Sequence, residues 1–315
     1  MLEIYKSTLD REIEILNEFE KGSWIKLTNP TNEEIDLVVD SLDVEKDLIV
    51  DPLDLEESPR LEIEEDYMSV IVDIPILQED LSEKDGNSQF MTIPIGIIIL
   101  ENHIITVCTE ETNILKMFEE NKVKSFYTFK KNRFLLLLLY KTAIKYLLYL
   151  KQIDRRSSAM QKMLTKSTRN QELFKFLELE NSLIYFSTSL KANELVLEKL
   201  LKVENLKKYE EDTELLEDVI IENKQAIEMT NIYSNILVGT MDTFASIISN
   251  NQNTVMKLLA IVTIAMSIPT IITGFYGMNV ELPLQHNPNA YLIIVIGSLV
   301  LTTIVSLIFT KRRPF

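Results

Sequence analysis

Cysteine is nearly absent from this chain. Cys108 is the one cysteine in 315 residues, so no disulfide can form within it, as suits a reducing compartment. Only His103 and His286 accompany it, too few for a Cys/His zinc cluster inside one chain. No glycine-rich phosphate loop, nucleophile arrangement or acid/base pair stands out, which argues against an enzyme. Positive charge is in deficit: Lys+Arg 32 against Asp+Glu 48 leaves a formal net charge of −16. So acidic a chain is a poor partner for nucleic acid. The N-terminal Met-Leu-Glu-Ile-Tyr-Lys-Ser lacks the basic-then-apolar pattern of a signal peptide.

Two stretches lack charge altogether, residues 258–276 and 290–310. Each is long enough to cross a hydrocarbon core of about 30 Å as a helix, in contact with membrane lipid. Between them, residues 277–289 hold no Lys or Arg and a single acid, Glu281. Lys257 precedes the first stretch, and Lys311, Arg312 and Arg313 follow the second. The positive-inside rule then places both termini and the acidic region in the cytoplasm. The expected location is the cell (plasma or inner) membrane, crossed twice, with the loop outside.

Helix breakers are also scarce over most of the chain. No proline lies between Pro94 and Pro269, and between Gly96 and Gly274 the only glycine is Gly239. That scarcity predicts long helices, at about 134–168 and 171–206, and a last one from near Asp212 that need not stop before Tyr276. At 1.5 Å per residue the last helix would be on the order of 95 Å long. Lys141 and Lys145 interrupt the apolar run 134–150, which reads as amphipathic rather than as a third span.

Residues 1–130 read as an α/β cytosolic domain. Gly22-Ser23-Trp24-Ile25-Lys26-Leu27 suggests a strand, and Thr31-Asn32-Glu33-Glu34 a capped helix start. Residues 67–76 and 91–108, rich in Ile, Val and Thr, suggest sheet strands separated by the turn Glu83-Lys84-Asp85-Gly86-Asn87. Residues 131–250 then form a cytosolic helical region and stalk, and 251–315 a two-span membrane domain. The stalk continues into the first of the two C-terminal transmembrane helices.

One face of the last helix is polar or small at every position but Met256. Asn235, Gly239, Asp242, Ser246, Ser249, Asn253, Met256, Ala260, Thr263, Ser267, Thr270, Gly274 and Gly277 follow steps of four and three. Their average of about 3.5 is that of a left-handed coiled-coil seam. Beside it runs an apolar ladder: Leu215, Val219, Ala226, Tyr233, Leu237, Phe244 and Ile248. A polar stripe in water is normally a solvated face, but this one continues where lipid disfavours polar groups. Close helix packing and pore lining both fit it.

Two spans cannot enclose a water-filled path, so a channel requires a ring of subunits. In a ring, Asp242 would supply carboxylates that attract cations, and Met256 with Leu259 a hydrophobic constriction. Phe275-Tyr276-Gly277-Met278-Asn279 closes the first span, where the amide of Asn279 could meet a passing hydrated cation. The plainer alternative for Gly277 is a helix cap. No carboxylate lies inside the span, which suits a cation that keeps its water, as Mg2+ does.

The Tyr276-Gly277-Met278-Asn279 exit, Asn253-Thr254-Val255-Met256-Lys257, Asp242 and the basic tail together make the chain resemble the CorA family of magnesium channels. The resemblance covers essentially the whole chain. It implies a funnel-shaped homopentamer whose stalk helix lines the pore, with a selectivity filter at Gly277, Met278 and Asn279. Pore-lining positions are then Asp242, Asn253, Met256, Leu259, Thr263, Ser267, Thr270 and Gly274. It further implies Mg2+ as both substrate and regulatory ligand, bound between subunits by Asp51, in Ile49-Val50-Asp51-Pro52 ahead of Ser58-Pro59-Arg60-Leu61-Glu62, and by Asp218. From the residues alone, Asp36, Asp40, Asp43 and Asp47 form an acidic, solvated helical face. Alternatives are transport of zinc with proton coupling, transport of cobalt or nickel, and a membrane-anchored receptor. In the loop, Gln285 stands where many family members carry an acid, and His286 reads as a loop residue.

Overall fold

A computed structural model of the chain describes residues 1–8, 12–79, 88–164, 170–284 and 286–311. The expected turn at Glu83-Lys84-Asp85-Gly86-Asn87, and Gln285, Arg312 and Arg313, lie outside the described residues. Two compact units are present, Met1–Thr240 and Met241–Phe315.

In the first unit, strands β1 (Leu2–Ser7), β2 (Ile13–Leu16), β3 (Trp24–Thr28), β4 (Arg60–Ile63), β5 (Tyr67–Glu79), β6 (Ser88–Leu100) and β7 (Ile104–Cys108) form one sheet. Their order is β2-β1-β3-β7-β6-β5-β4. Every pairing is antiparallel except β3 with β7. The stretch 91–108 thus contains two strands, turned at Glu101 and Asn102. Strands β1, β2 and β4 escaped the sequence pattern because they are short and interleaved with charge.

Pro75 and Pro94 do not interrupt their strands. Pro75 pairs with Thr92 and Pro94 with Asp73 across the β5–β6 ladder. β4 reaches β5 only as far as Ile71, and β7 reaches β6 only as far as Ile95. Each proline therefore sits where its strand has lost its outer neighbour, and no ladder bond is forfeited. Where β4 stops, the exposed edge is closed by a side chain. The Asp73 N–H donates to Asn193 Oδ1 at 2.9 Å, Asn193 Nδ2 donates back to the Asp73 carbonyl at 2.8 Å, and Tyr146 Oη joins at 3.1 Å.

Core lies on both faces of the sheet. Trp24 packs with Phe118, Phe126 and Phe134 on one side, and Ile25 and Leu27 with Ile35, Val38 and Ile49 on the other. Lys26 shares the Trp24 side of β3 and is buried, held by Glu3 at 3.0 Å and Glu119 at 2.6 Å.

Helix α1 (Asn32–Leu42) starts with the expected cap: Thr31 Oγ1 accepts from the Glu34 N–H and the Glu34 carboxylate accepts from the Thr31 N–H. Asp43 ends it in the left-handed conformation, and Asp47 opens the separate helix α2 (Asp47–Val50). Asp36, Asp40, Asp43 and Asp47 are therefore not one helical face, although all four are exposed. A single 3-10 turn, Asp51–Leu53, follows α2.

The later helices are α3 (Asn113–Glu119), α4 (Lys131–Leu164), α5 (Asn170–Leu200), α6 (Glu210–Tyr276) and, in the second unit, α7 (Ala290–Lys311). α5 ends earlier than expected because the chain tightens there, the Val203 N–H donating to Leu200 O at 3.1 Å. Glu204–Lys207 is a short 3-10 turn, and α6 begins two residues before the expected Asp212. α6 is one unbroken helix of 67 residues, with Pro269 inside it.

Gly96 fixes where Asp51 stands. A Cβ at Gly96 would lie 2.3 Å from Pro52 Cγ and 2.8 Å from Pro52 Cβ. The proline ring occupies the hollow that the missing side chain leaves, seating the 3-10 turn on β6. Gly96→Ala should force the turn outward and destabilise the first unit by about 1–3 kcal/mol, measured by denaturant or thermal unfolding.

Candidate functional site

The rotation of α6 about its axis is set by its apolar ladder. Val219, Ala226 and Leu237 are each at most 1% exposed, and Leu215 and Tyr233 are half-buried. Polar ties fix the start of the helix: Arg133 pairs with Asp212 at 2.7 Å, and Asn223 Nδ2 donates to Leu190 O at 3.1 Å. Further along the ladder, Phe244 is buried and Ile248 is exposed.

Every seam position from Asn235 to Gly277 is exposed, except the half-buried Ser267. Met256 and Leu259 are among the exposed apolar side chains. The seam hydroxyls turn their protons onto the helix backbone. Thr263 Oγ1 donates to Leu259 O at 2.8 Å, Ser267 Oγ to Ile264 O at 2.9 Å and Thr270 Oγ1 to Met266 O at 2.9 Å. A hydroxyl has one proton and two lone pairs. With the proton used, these three offer lone pairs alone. Pro269 has no N–H for the carbonyl of Ala265, one turn earlier. Periodicity located the hydroxyls but could not show the direction of their hydrogen bonds.

No seam glycine is needed to relieve a clash among the described residues. A Cβ at Gly239 or Gly274 would meet nothing within 4 Å, and at Gly277 the nearest atom, Thr273 O, lies at an ordinary 3.4 Å. Gly277 does not take the left-handed backbone of a glycine cap. Its N–H instead donates to Thr273 O at 2.9 Å, continuing the helical pattern. Gly277 directly follows Tyr276, the last residue of α6, so it holds the cap position without the left-handed turn. Tyr276 Oη donates to Pro283 O at 3.2 Å, tying the loop to the end of the span. Gly277, Met278 and Asn279 are exposed beside this tie, as is His286.

Asp51 is the first residue of the 3-10 turn, and Oδ2 accepts from Arg60 Nη2 at 2.5 Å. Asp218 lies exposed on α6. Among the described residues, no group of three or more His, Cys, Asp or Glu is placed to hold a metal within one chain. Two described helices are long and apolar enough to cross a membrane, α6 in its C-terminal part and α7.

The chain matches the family model described as "CorA-like Mg2+ transporter protein" over residues 19–312, and it belongs to that family. It is 28% identical over 309 residues to the Cobalt/magnesium transport protein CorA of Methanocaldococcus jannaschii, covering 92% of this chain and 90% of that one. The complete structure of the M. jannaschii CorA magnesium transporter superposes with a TM-score of 0.82 at 24% identity, covering 100% of this chain and 98% of that one. The fold of the first unit is shared more widely. The ZntB cytoplasmic domain from Vibrio parahaemolyticus superposes at a TM-score of 0.59 and 14% identity, over 80% of this chain and 98% of that one.

Cys108 is fully buried in β7, and burial pushes its thiol up to about 11. Thiolate is the reactive form, so the native protein should not react with a maleimide at neutral pH. Denaturation should release one thiol per chain, countable by mass spectrometry.

Proposed function

We propose that this chain is one subunit of a homopentameric, funnel-shaped channel that passes hydrated Mg2+ into the cytoplasm. The observation that carries the proposal is the seam. Glycine inside a helix costs roughly 1 kcal/mol relative to alanine. Gly274 bears that cost although a Cβ there would meet nothing within 4 Å. Close approach of other subunits, or of an ion in its water shell, accounts for it. The outward lone pairs of Thr263, Ser267 and Thr270 supply the chemistry. Water bound to a cation points its protons outward, and acceptor-only walls take those protons without stripping the ion. Mg2+ dehydrates reluctantly, so such a wall suits it.

In this ring Asp242 gathers cations at the cytoplasmic side, and Met256 with Leu259 narrows the path. Asn253 and Gly274 line it, and Gly277, Met278 and Asn279 select at its outer mouth. Both termini lie in the cytoplasm of a cell-membrane protein. The relative's name extends the expected cargo to Co2+.

A regulatory Mg2+ fits the residues present. Asp51 and Asp218 offer hard carboxylate oxygens, and among the described residues no group of three or more His, Cys, Asp or Glu encloses a metal within one chain. That combination suits an ion that keeps most of its water and is shared between neighbours. Held there, Mg2+ would supply a positive bridge that keeps adjacent first units together and the channel shut.

Flux into dye-loaded liposomes tests the conduction path. Asn279→Ala should abolish Mg2+ entry or its selectivity. Thr263→Val with Thr270→Val should cut entry roughly tenfold, the equivalent of about 1.4 kcal/mol of lost hydrogen bonding. Zinc entry that needs a proton gradient, with little Mg2+ entry, would replace the proposed cargo. Absence of any flux from well-folded oligomers would leave an anchored receptor. In the same liposomes, Asp51→Ala combined with Asp218→Ala should remove closure by internal Mg2+. Unchanged closure would rule those two residues out as the sensor.

A further inference from the structure

The last turns of α4 and the first turns of α5 carry the opposite charge to the rest of the chain. Residues 151–175 hold seven Lys or Arg and two Asp or Glu, in a chain of net charge −16. Lys151, Arg155 and Lys162 are exposed and follow steps of four and seven, one face of α4. Arg156 is turned inward, its guanidinium 4.7 Å from the centre of the Phe90 ring. α4 and α5 fold back on each other, Tyr146 meeting Phe186 edge-on at 5.0 Å, so Lys162 and Phe174 belong to the same end. Phe174 is 65% exposed there, and Leu177 is exposed three residues on. A lone exposed apolar side chain needs no explanation. One set among cations has the composition of a segment that lies on a membrane surface.

α4 points this end the way α6 runs. Near their starts, Arg133 of α4 pairs with Asp212 of α6 at 2.7 Å. At corresponding positions further along both helices, burial and then the charge of Asp154 push the Tyr233 phenol up. The two helices therefore run in the same direction, and α6 continues into the uncharged stretch that begins at Leu258.

We infer that the basic end of the α4–α5 pair is a docking surface for the anionic lipid headgroups of the leaflet that α6 enters. This rests on residues 258–276 crossing a bilayer, and on nothing about the cargo. Basic side chains close to an anionic leaflet gain from its negative potential, and the gain fades within a Debye length of about 10 Å. For a free protein the attraction would be weak. Here the spans hold the surface beside the bilayer, so docking is an intramolecular step at high effective concentration. A soluble polyanion lacks that advantage and meets the repulsion of an acidic chain. An acidic face of a second copy would use the cations but leave Phe174 without a purpose. On lipid, Phe174 lies at the boundary of headgroups and acyl chains and Lys162 meets the phosphates. Lys151 stands about 16 Å further back along α4, beyond the reach of the leaflet's field.

The test uses the full-length chain carrying Gln161→Cys, an exposed position beside Lys162, labelled with a fluorescent maleimide; Cys108 is buried and stays unlabelled. The protein is placed in nanodiscs of phosphatidylcholine, with or without phosphatidylglycerol, that contain a lipid with a spin-labelled headgroup as quencher. Entry into the disc reports on the membrane-crossing stretches, so failure of that premise is seen apart from failure of the docking surface. Phosphatidylglycerol should raise the quenching roughly threefold or more. Salt at about 1 M, where the screening length falls to about 3 Å, should remove that gain. Neither comparison needs a charge variant. Lys162→Glu should remove most of the gain and Lys151→Glu little of it, an order that general damage to α4 would not produce. Phe174→Ser should lower quenching in the phosphatidylglycerol discs and leave its dependence on salt. Equal quenching in the two lipids, or equal losses from Lys162→Glu and Lys151→Glu, would overturn the docking surface. A signal that Lys162→Glu changes equally in both lipids would assign the cations to an acidic face of another copy, and would overturn it too.

Discussion

Burial of the ladder on α6 governs what the rest of this molecule can present. Val219, Ala226 and Leu237 are taken up almost completely, Val219 and Leu237 each contributing on the order of 1.5–3 kcal/mol and the Ala226 methyl about 0.8 kcal/mol. That contribution fixes one face of the helix inward. A helix is stiff about its own axis, so the residues on its other faces are placed without further contacts. Within the first unit, the seam positions Asn235 and Gly239 are exposed while Leu237 between them is buried. The seam hydroxyls obey a second constraint, that polar groups at membrane depth must be satisfied locally. Thr263, Ser267 and Thr270 satisfy their protons on the carbonyls of their own helix, which leaves oxygen facing outward.

In the first unit, small steric details place the charged groups. A missing Cβ at Gly96 admits the ring of Pro52, and the ring sets Asp51 beside Arg60. Lys26 shows how far the sheet tolerates charge when it is paired. It is 1% exposed in the middle of β3, and Glu3 and Glu119 hold its ammonium from neighbouring elements. A lone buried ammonium would be costly; one engaged by two carboxylates is a fixed part of the core.

The membrane part was the most legible in the sequence, because length without charge is a strong signal. The unbroken α6 followed from the scarcity of Pro and Gly, and neither Gly239, Gly274 nor its one proline, Pro269, ended it. The sheet was legible where its strands are apolar on both faces, as in β5, β6 and β7. It was not legible in β1, β2 and β4, where charges break the alternation, nor at the Glu101–Asn102 turn, which carries neither glycine nor proline. At the candidate site, periodicity found the seam residues, but hydrogen-bond direction and glycine surroundings are three-dimensional facts. Glu57 and Glu62 are near neighbours of Arg60 in sequence, but its pairing with Asp51 across the turn appears only in the fold.

The Asn193 amide clasped to the backbone of Asp73 bears on how copies of this chain can meet. An open strand edge offers a row of donors and acceptors that another chain can adopt as its own ladder. Chains confined to a bilayer encounter one another in two dimensions, at high local density and with restricted tumbling, conditions that favour such stitching. By taking the N–H and C=O of Asp73, just past the last β4 pairing at Ile71, Asn193 closes that point of the edge. A neighbouring strand could extend the ladder there only by displacing the amide.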